Sequence, residues 1–162
     1  MSSKILIAYF SHSGNTRTVA EQIHTRIGGE LFSIETVVAY PSDYHTVVEQ
    51  AKREWNSGYC PPLKTKINHL ETYDILLIGS PNWWGTIAPP IRTFLENMDG
   101  NGKTLAPFIT HEGSGLGRAE ADLQKLCPKA TVLHGLAIRG GSIRHAQNEI
   151  QHGLQKLGFD II

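Results

Sequence analysis

Short unbroken apolar runs alternate along the chain with stretches whose apolar residues recur every three or four positions. Lys4–Phe10 predicts a buried strand, after which Val19, Ala20, Ile23 and Ile27 mark one face of a helix. Glu30–Thr36 is the second strand. Asp43 then stands where it can cap a helix with the stripe Tyr44, Val47, Val48, Ala51 and Trp55, stopped near Ser57-Gly58. The strongest buried strand is Asp74–Gly79, DILLIG. Pro89-Pro90 opens the next helix, which carries Ile91, Phe94, Leu95 and Met98; proline is tolerated in a first turn, where its missing N–H has no partner to lose. Leu105–Thr110 is a fourth strand, followed by a helix through Leu123 and Leu126. Thr131–Arg139 is a fifth, leading into a last helix lined by Ile143, Ala146, Ile150, Leu154 and Leu157.

Strands apolar at every position imply a sheet buried on both faces, hence parallel strands with helices on either side. Right-handed crossovers make a doubly wound open α/β sheet the leading topology, and 162 residues are too few for an eight-stranded barrel. No repeat, low-complexity tract or linker divides the chain, so residues 1–162 read as one domain.

Composition narrows the setting. Hydrophobic content of 40% with 19% charged residues is that of a soluble globular fold. Lys+Arg and Asp+Glu number 15 each, so no net field draws the chain to nucleic acid or an anionic membrane. The stretch MSSKILIAYF has none of the three parts of an export signal, and no apolar run approaches the roughly 18 residues of a membrane span. Cys60 and Cys127 lie far apart, outside any CxxC pairing, and read as reduced thiols. Together these predict a cytoplasmic protein with no membrane insertion. The eight histidines form neither HExxH nor a Cys/His cluster, so no metal is expected. His145 and His152 belong to a solvated helix face, whereas His12 and His111 stand either at a ligand or in solvent.

Parallel sheets of this kind bind ligands beyond the carboxyl ends of their strands, beside the switch in strand order. The loops there are the polar ones: SHSGNT (11–16) after the first strand, SPNWWGT (80–86) after the third and THEGSGLG (110–117) after the fourth. Thr16 begins a helix, so SHSGNT wraps that helix's positive end. Free N–H groups there, with the hydroxyls of Ser11, Ser13 and Thr16, make a dense set of donors for a phosphate. Gly14 lets the backbone approach closely, and Asn15 adds a side-chain amide. Neither GxxxxGK[ST] nor GxGxxG occurs in the loop, and it holds no cysteine. Neutral donors suit a terminal phosphate that is held and never transferred, although Ser and Asn also serve as ordinary helix caps.

SHSGNT resembles the phosphate loop of the flavodoxin family, whose pattern is Ser/Thr, any residue, Ser/Thr, Gly, any residue, Thr. The likeness runs from KILIAYF to the final helix, and SPNWWGTIAPPIRTFLE is similar to a flavodoxin-like subgroup with this loop. The resemblance implies a five-stranded sheet of order 2-1-3-4-5, in the short-chain form without an insertion in the fifth strand, and FMN as cofactor. Its phosphate falls to Ser11, His12, Ser13, Gly14, Asn15 and Thr16. Its ring falls to Pro81, Asn82, Trp83, Trp84, Gly85 and Thr86, and to Thr110, His111, Glu112, Gly113, Ser114, Gly115 and Gly117. By position, Trp84 is the stacking candidate and Gly85 the residue whose peptide turns over on reduction. Asn82 and Thr86 fall to hydrogen bonds nearby, and the glycines offer amides to the pyrimidine edge. Burying one indole of about 200 Å² is worth roughly 5 kcal/mol at most, so two indoles in a loop need partners. Trp83 has the alternative of packing inside the protein.

The fourth loop has no aromatic residue for the outer ring face, which is therefore open or covered from the 56–72 segment, for instance by Tyr59. Three functions follow. The first is an electron carrier working between redox partner proteins, with no substrate chemistry of its own and so no catalytic residue. The second is an NAD(P)H-dependent FMN quinone or nitro reductase. The third is a binding module that has lost its cofactor.

Overall fold

β1 (Ile5–Tyr9), β3 (Ile75–Pro81) and β4 (Thr104–His111) have few polar side chains to show solvent, and they form the centre of one parallel sheet. The computed structural model describes residues 3–96 and 98–162. β2 (Glu30–Ser33) lies outside β1, while β5 (Thr131–Val132) and β6 (Leu136–Arg139) share the place outside β4. The order is thus the expected 2-1-3-4-5, with two short strands in the last position.

Successive strand residues point to opposite faces, and each face has its own core. Leu6, Ala8, Leu76, Ile78, Leu105 and Ile109 pack with α2 (Tyr44–Ser57), α3 (Pro89–Leu95) and α4 (Ala119–Leu126). Ile7, Tyr9, Leu77, Ala106 and Phe108 pack with α1 (Asn15–Ile27) and α5 (Gln147–Lys156). The predicted α1 stripe, Val19, Ala20, Ile23 and Ile27, is buried throughout.

The run Thr131–Arg139 is not one strand. Between its two pairings with β4, the edge supplies Leu133–Gly135 against only Ala106 and Pro107, so one residue is extra. Pro107 brings no N–H to the ladder, and Gly135 sits so close that a Cβ there would meet the Pro107 carbonyl oxygen at 2.9 Å. The freed Gly135 N–H donates to Glu120 Oε2 at 2.6 Å. The last helix is also shorter than its apolar stripe: residues 140–145 form a 3-10 turn, and Ile143 is buried within it. Likewise α3 stops at Leu95, and Met98 packs on the core from the chain beyond.

Two caps fix α2. Asp43 Oδ2 accepts from the Thr46 amide at 2.9 Å and its hydroxyl at 2.7 Å, which holds the Asp43 carboxyl below its ordinary range. Tyr44, counted in the apolar stripe, is 60% exposed; the buried residues are Val47 and Ala51. At the other end the Arg92 guanidinium donates to the carbonyls of Glu54 (2.7 Å), Trp55 (3.1 Å) and Tyr59 (2.8 Å), and lies 4.3 Å from the Trp55 ring centre. Arg92→Ala takes the guanidinium donor from the Tyr59 carbonyl and one of several donors from those of Glu54 and Trp55, and should lower the unfolding free energy in urea by about 1–2 kcal/mol.

Beyond α2 the chain turns back along the residues that follow β2. Val37 N–H donates to Pro62 C=O at 2.9 Å, Lys64 N–H to Glu35 C=O at 2.7 Å, and Thr36 bridges Leu63 in antiparallel fashion.

Candidate functional site

The carboxyl ends of β1, β3 and β4 lie side by side, so the loops that follow them meet. In the first, Gly14 takes φ 99° just before α1, and no side chain caps the helix at that position. Instead Ser11 Oγ reaches forward to accept from the amides of Gly14 and Arg17, each at 3.2 Å. The amides of Ser13, Asn15 and Thr16 meet no acceptor among the described residues, so the helix end keeps open donors. The hydroxyls expected to share that task are divided. Ser13 is exposed, Ser11 serves its own loop, and Thr16 is buried with its Oγ1 2.8 Å from Thr110 Oγ1.

This Thr16–Thr110 contact ties the first loop to the end of β4. Thr16→Val would leave the Thr110 hydroxyl alone where water does not reach, and is expected to reduce stability by about 1–2 kcal/mol in a denaturant titration.

His12 is neither free nor at the helix end. Its Nε2–H donates to Pro41 C=O at 2.7 Å, and its ring meets Trp83 edge-on at 5.6 Å. Trp83 is 5% exposed, wedged also against Phe10 (5.5 Å) and Tyr40 (5.3 Å). The Tyr40 hydroxyl donates to Glu54 Oε1 at 2.5 Å; burial and then that carboxylate hold it protonated well above the ordinary tyrosine range. Trp83 is therefore an interior residue, and its neighbour carries the exposed indole.

Trp83–Thr86 is a four-residue turn closed by a 3.0 Å bond from Trp83 N–H to Thr86 C=O. Both central residues have positive φ, 59° at Trp84 and 79° at Gly85, the pattern of a type I′ turn. Glycine accepts that conformation freely, whereas tryptophan is strained in it by about 1–2 kcal/mol. The turn points Trp84 outward, 41% exposed along α2, where Nε1–H donates to Val48 C=O and Lys52 Nζ stands 4.6 Å from the ring centre.

The third and fourth loops are built as one unit. Asn82 N–H donates to Thr110 C=O, and its side chain donates to Gly115 C=O at 2.8 Å while accepting from Gly85 N–H at 2.9 Å. Gly117, at φ 56°, lies against Gly85: a Cβ there would fall 2.1 Å from the Gly85 carbonyl oxygen. That oxygen accepts from Arg118 N–H at 2.6 Å, the Arg118 guanidinium donates to Trp84 C=O at 3.2 Å, and Thr86 donates its hydroxyl to Asp122. Elsewhere in the fourth loop His111 Nδ1 accepts from Gly113 N–H at 2.9 Å, and Ser114 is exposed. Glu112 turns toward Asn15: a Cβ on Gly140 would lie 2.3 Å from Glu112 Oε1 and 2.9 Å from Asn15 Nδ2. Pro81 ends β3 opposite Thr110.

Sequence reasoning missed Tyr40, Arg118 and Asp122. One signal was present for the last two: Asp122 interrupts the apolar face between Ala119 and Leu123, one turn from Arg118. Tyr59 follows the C-terminal end of α2, where its carbonyl accepts from Arg92 at 2.8 Å and its side chain is exposed. A cavity of about 780 Å³ opens on the β2 side of the first loop, lined by Ser13, Arg17, Thr36, Tyr40, Tyr44 and Lys64 among others.

A family model described as flavodoxin matches residues 4–154. Among solved structures, a flavoprotein of Bacteroides eggerthii is 32% identical with a TM-score of 0.85, covering 98% of this chain and all of that one. A flavoprotein of Lactobacillus acidophilus, solved in complex with FMN, is 27% identical with a TM-score of 0.70 over 91% and 99% of the two chains. Flavodoxin 1 of Escherichia coli is 28% identical over 110 residues, 63% of this chain and 46% of that protein. An NAD(P)H dehydrogenase (quinone) of Azorhizobium caulinodans is 29% identical over 118 residues, 67% of this chain and 56% of that one. The chain thus spans about half the length of the curated relatives it matches. Among the described residues no helix is long and apolar enough to cross a membrane.

Proposed function

The chain belongs to the flavodoxin family, and from that premise we propose that it binds FMN at the three joined loops and carries electrons between redox partner proteins. One observation carries the reading: open amides at the start of α1 stand beside two loops locked together by Asn82 and Arg118. The amides of Ser13, Asn15 and Thr16 fit a phosphate ester, which needs several donors and no metal. Trp84 offers the exposed aromatic face, and the fourth loop offers glycine amides to the ring edge. When bound, the flavin supplies the redox chemistry, accepting and releasing electrons one or two at a time. The protein holds it, and sets through hydrogen bonds how easily it is reduced.

A second reading, an NAD(P)H-dependent quinone reductase, draws on two features. His111–Gly117 present no aromatic cover for the outer ring face, and the cavity beside the phosphate loop brings two cations, Arg17 and Lys64, next to one carboxylate, Glu35. One experiment separates the readings. Apoprotein is titrated with FMN, and the loaded protein is mixed with NADH or NADPH and a benzoquinone. A carrier binds FMN stoichiometrically and oxidises nicotinamide negligibly without a partner enzyme. Rapid turnover would instead establish the reductase, and failure to bind FMN at high concentration would remove both.

A further inference from the structure

The Trp83–Thr86 turn has most of its polar groups engaged within the chain. Gly85 N–H is held by Asn82, Gly85 C=O by the Arg118 amide, Trp84 C=O by the Arg118 guanidinium and the Thr86 hydroxyl by Asp122. The guanidinium also lies over the glycine, since a Cβ on Gly85 would come 3.2 Å from Arg118 Nη1. Asp122 is only 9% exposed, and its carboxylate faces two groups: the Thr86 hydroxyl and, at 3.8 Å, Arg118 Nε. A mostly buried acid on the packed side of α4 thus aims the guanidinium at the turn.

We propose that Arg118 and Asp122 form a positioning pair that pins both central carbonyls of this turn away from the flavin and so sets the separation between its two one-electron potentials. This rests on the FMN reading above. Adding one electron, from the redox partner, and one proton, from water, to an isoalloxazine creates an N–H donor at the ring edge that the oxidised ring lacks. A carbonyl of the turn can meet that donor only by leaving Arg118. While the guanidinium holds Trp84 C=O and covers Gly85, the first reduction step gains no such partner. The charge of Arg118 acts differently: the first step adds an electron with a proton and leaves the ring's charge unchanged, so a nearby cation favours chiefly the second electron, and losing that charge lowers the second potential alike in any neutral variant.

Arg118 is largely exposed, with 57% of its side chain accessible, so its variants should fold. The test loads wild type, Arg118→Ala and Arg118→Gln with FMN and titrates each anaerobically with dithionite, reading both one-electron potentials from the visible spectrum. Arg118→Ala and Arg118→Gln share the loss of charge, and Arg118→Ala should show the wider separation of the two, by about tenfold in the corresponding equilibrium constant, or about 59 mV. Arg118→Gln keeps a donor for Trp84 C=O without the charge, and so separates the hydrogen bond from the charge. Both variants should lower the second potential by the same amount. An unchanged separation in Arg118→Ala, or equal separations in the Ala and Gln variants, overturns the proposal while FMN binding stands. A wild type that takes up no FMN overturns the underlying reading, and the proposal with it.

Discussion

Gly117→Ala is expected to weaken FMN binding about a hundredfold and to lower the unfolding free energy by about 3 kcal/mol. Two penalties combine at this position. A β-carbon would stand 2.1 Å from the Gly85 carbonyl oxygen, a backbone atom that cannot swing aside as a side chain would. The residue also holds φ at 56°, where alanine is strained by about 1–2 kcal/mol. Relief requires the third and fourth loops to part, which breaks the Arg118–Gly85 bond and pulls on both bonds of the Asn82 side chain. Gly115 is the control. It has φ 67° but nothing within 4 Å of its notional Cβ, so Gly115→Ala should show the strain alone, about 1 kcal/mol. Urea denaturation of the apoproteins and quenching of FMN fluorescence give the two quantities. Equal losses in the two variants would show that the loops are not in obligatory contact.

The adjacent tryptophans should separate just as sharply. Trp83→Ala empties a site shared by Phe10, His12 and Tyr40, and should reduce stability by about 3–5 kcal/mol, enough to unfold much of the protein near 37 °C. Trp84→Ala removes an indole that is 41% exposed, and should leave stability within about 1 kcal/mol of wild type. Its effect should fall on the cofactor instead, with FMN affinity reduced on the order of tenfold through the lost aromatic face. If Trp84→Ala bound FMN as tightly as wild type, the stacking assignment would be lost. If Trp83→Ala were as stable as wild type, so would be its place in the interior.

The sequence carried those features that depend on neighbours along the chain. The α1 stripe and the three polar loops could be read because a helix repeats every 3.6 residues and a buried strand has no polar side. Features that depend on neighbours across the fold were readable only in part. The break after Val132 reflects Pro107 in the adjoining strand, and His134-Gly135 within Thr131–Arg139 is its local trace in the sequence. Trp83 and Trp84 are alike in composition and position, and only the sign of φ through the turn sends one inward and the other out. Arg118 and Asp122 lie about thirty-five residues from the turn they hold; the polar break at Asp122 marks them along the chain, but what they hold depends on α4 lying beside the turn. The hydroxyls of the first loop read as three equivalent donors, yet Ser11 and Thr16 are committed to other partners.

The strip of chain folded back along the residues that follow β2 has a consequence for the protein at high concentration. An uncovered strand at the margin of a sheet is a template onto which a strand of another molecule can add, and long flat margins of this kind seed aggregates. Here Pro62–Lys64 already occupies the outer hydrogen-bonding groups of the residues that follow β2. At the opposite margin the extra residue at Leu133–Gly135 leaves no straight run longer than the four residues of β6. Both borders therefore offer strands of four residues at most, short templates for growth, and the folded protein should stay dispersed without relying on net charge, of which it has none.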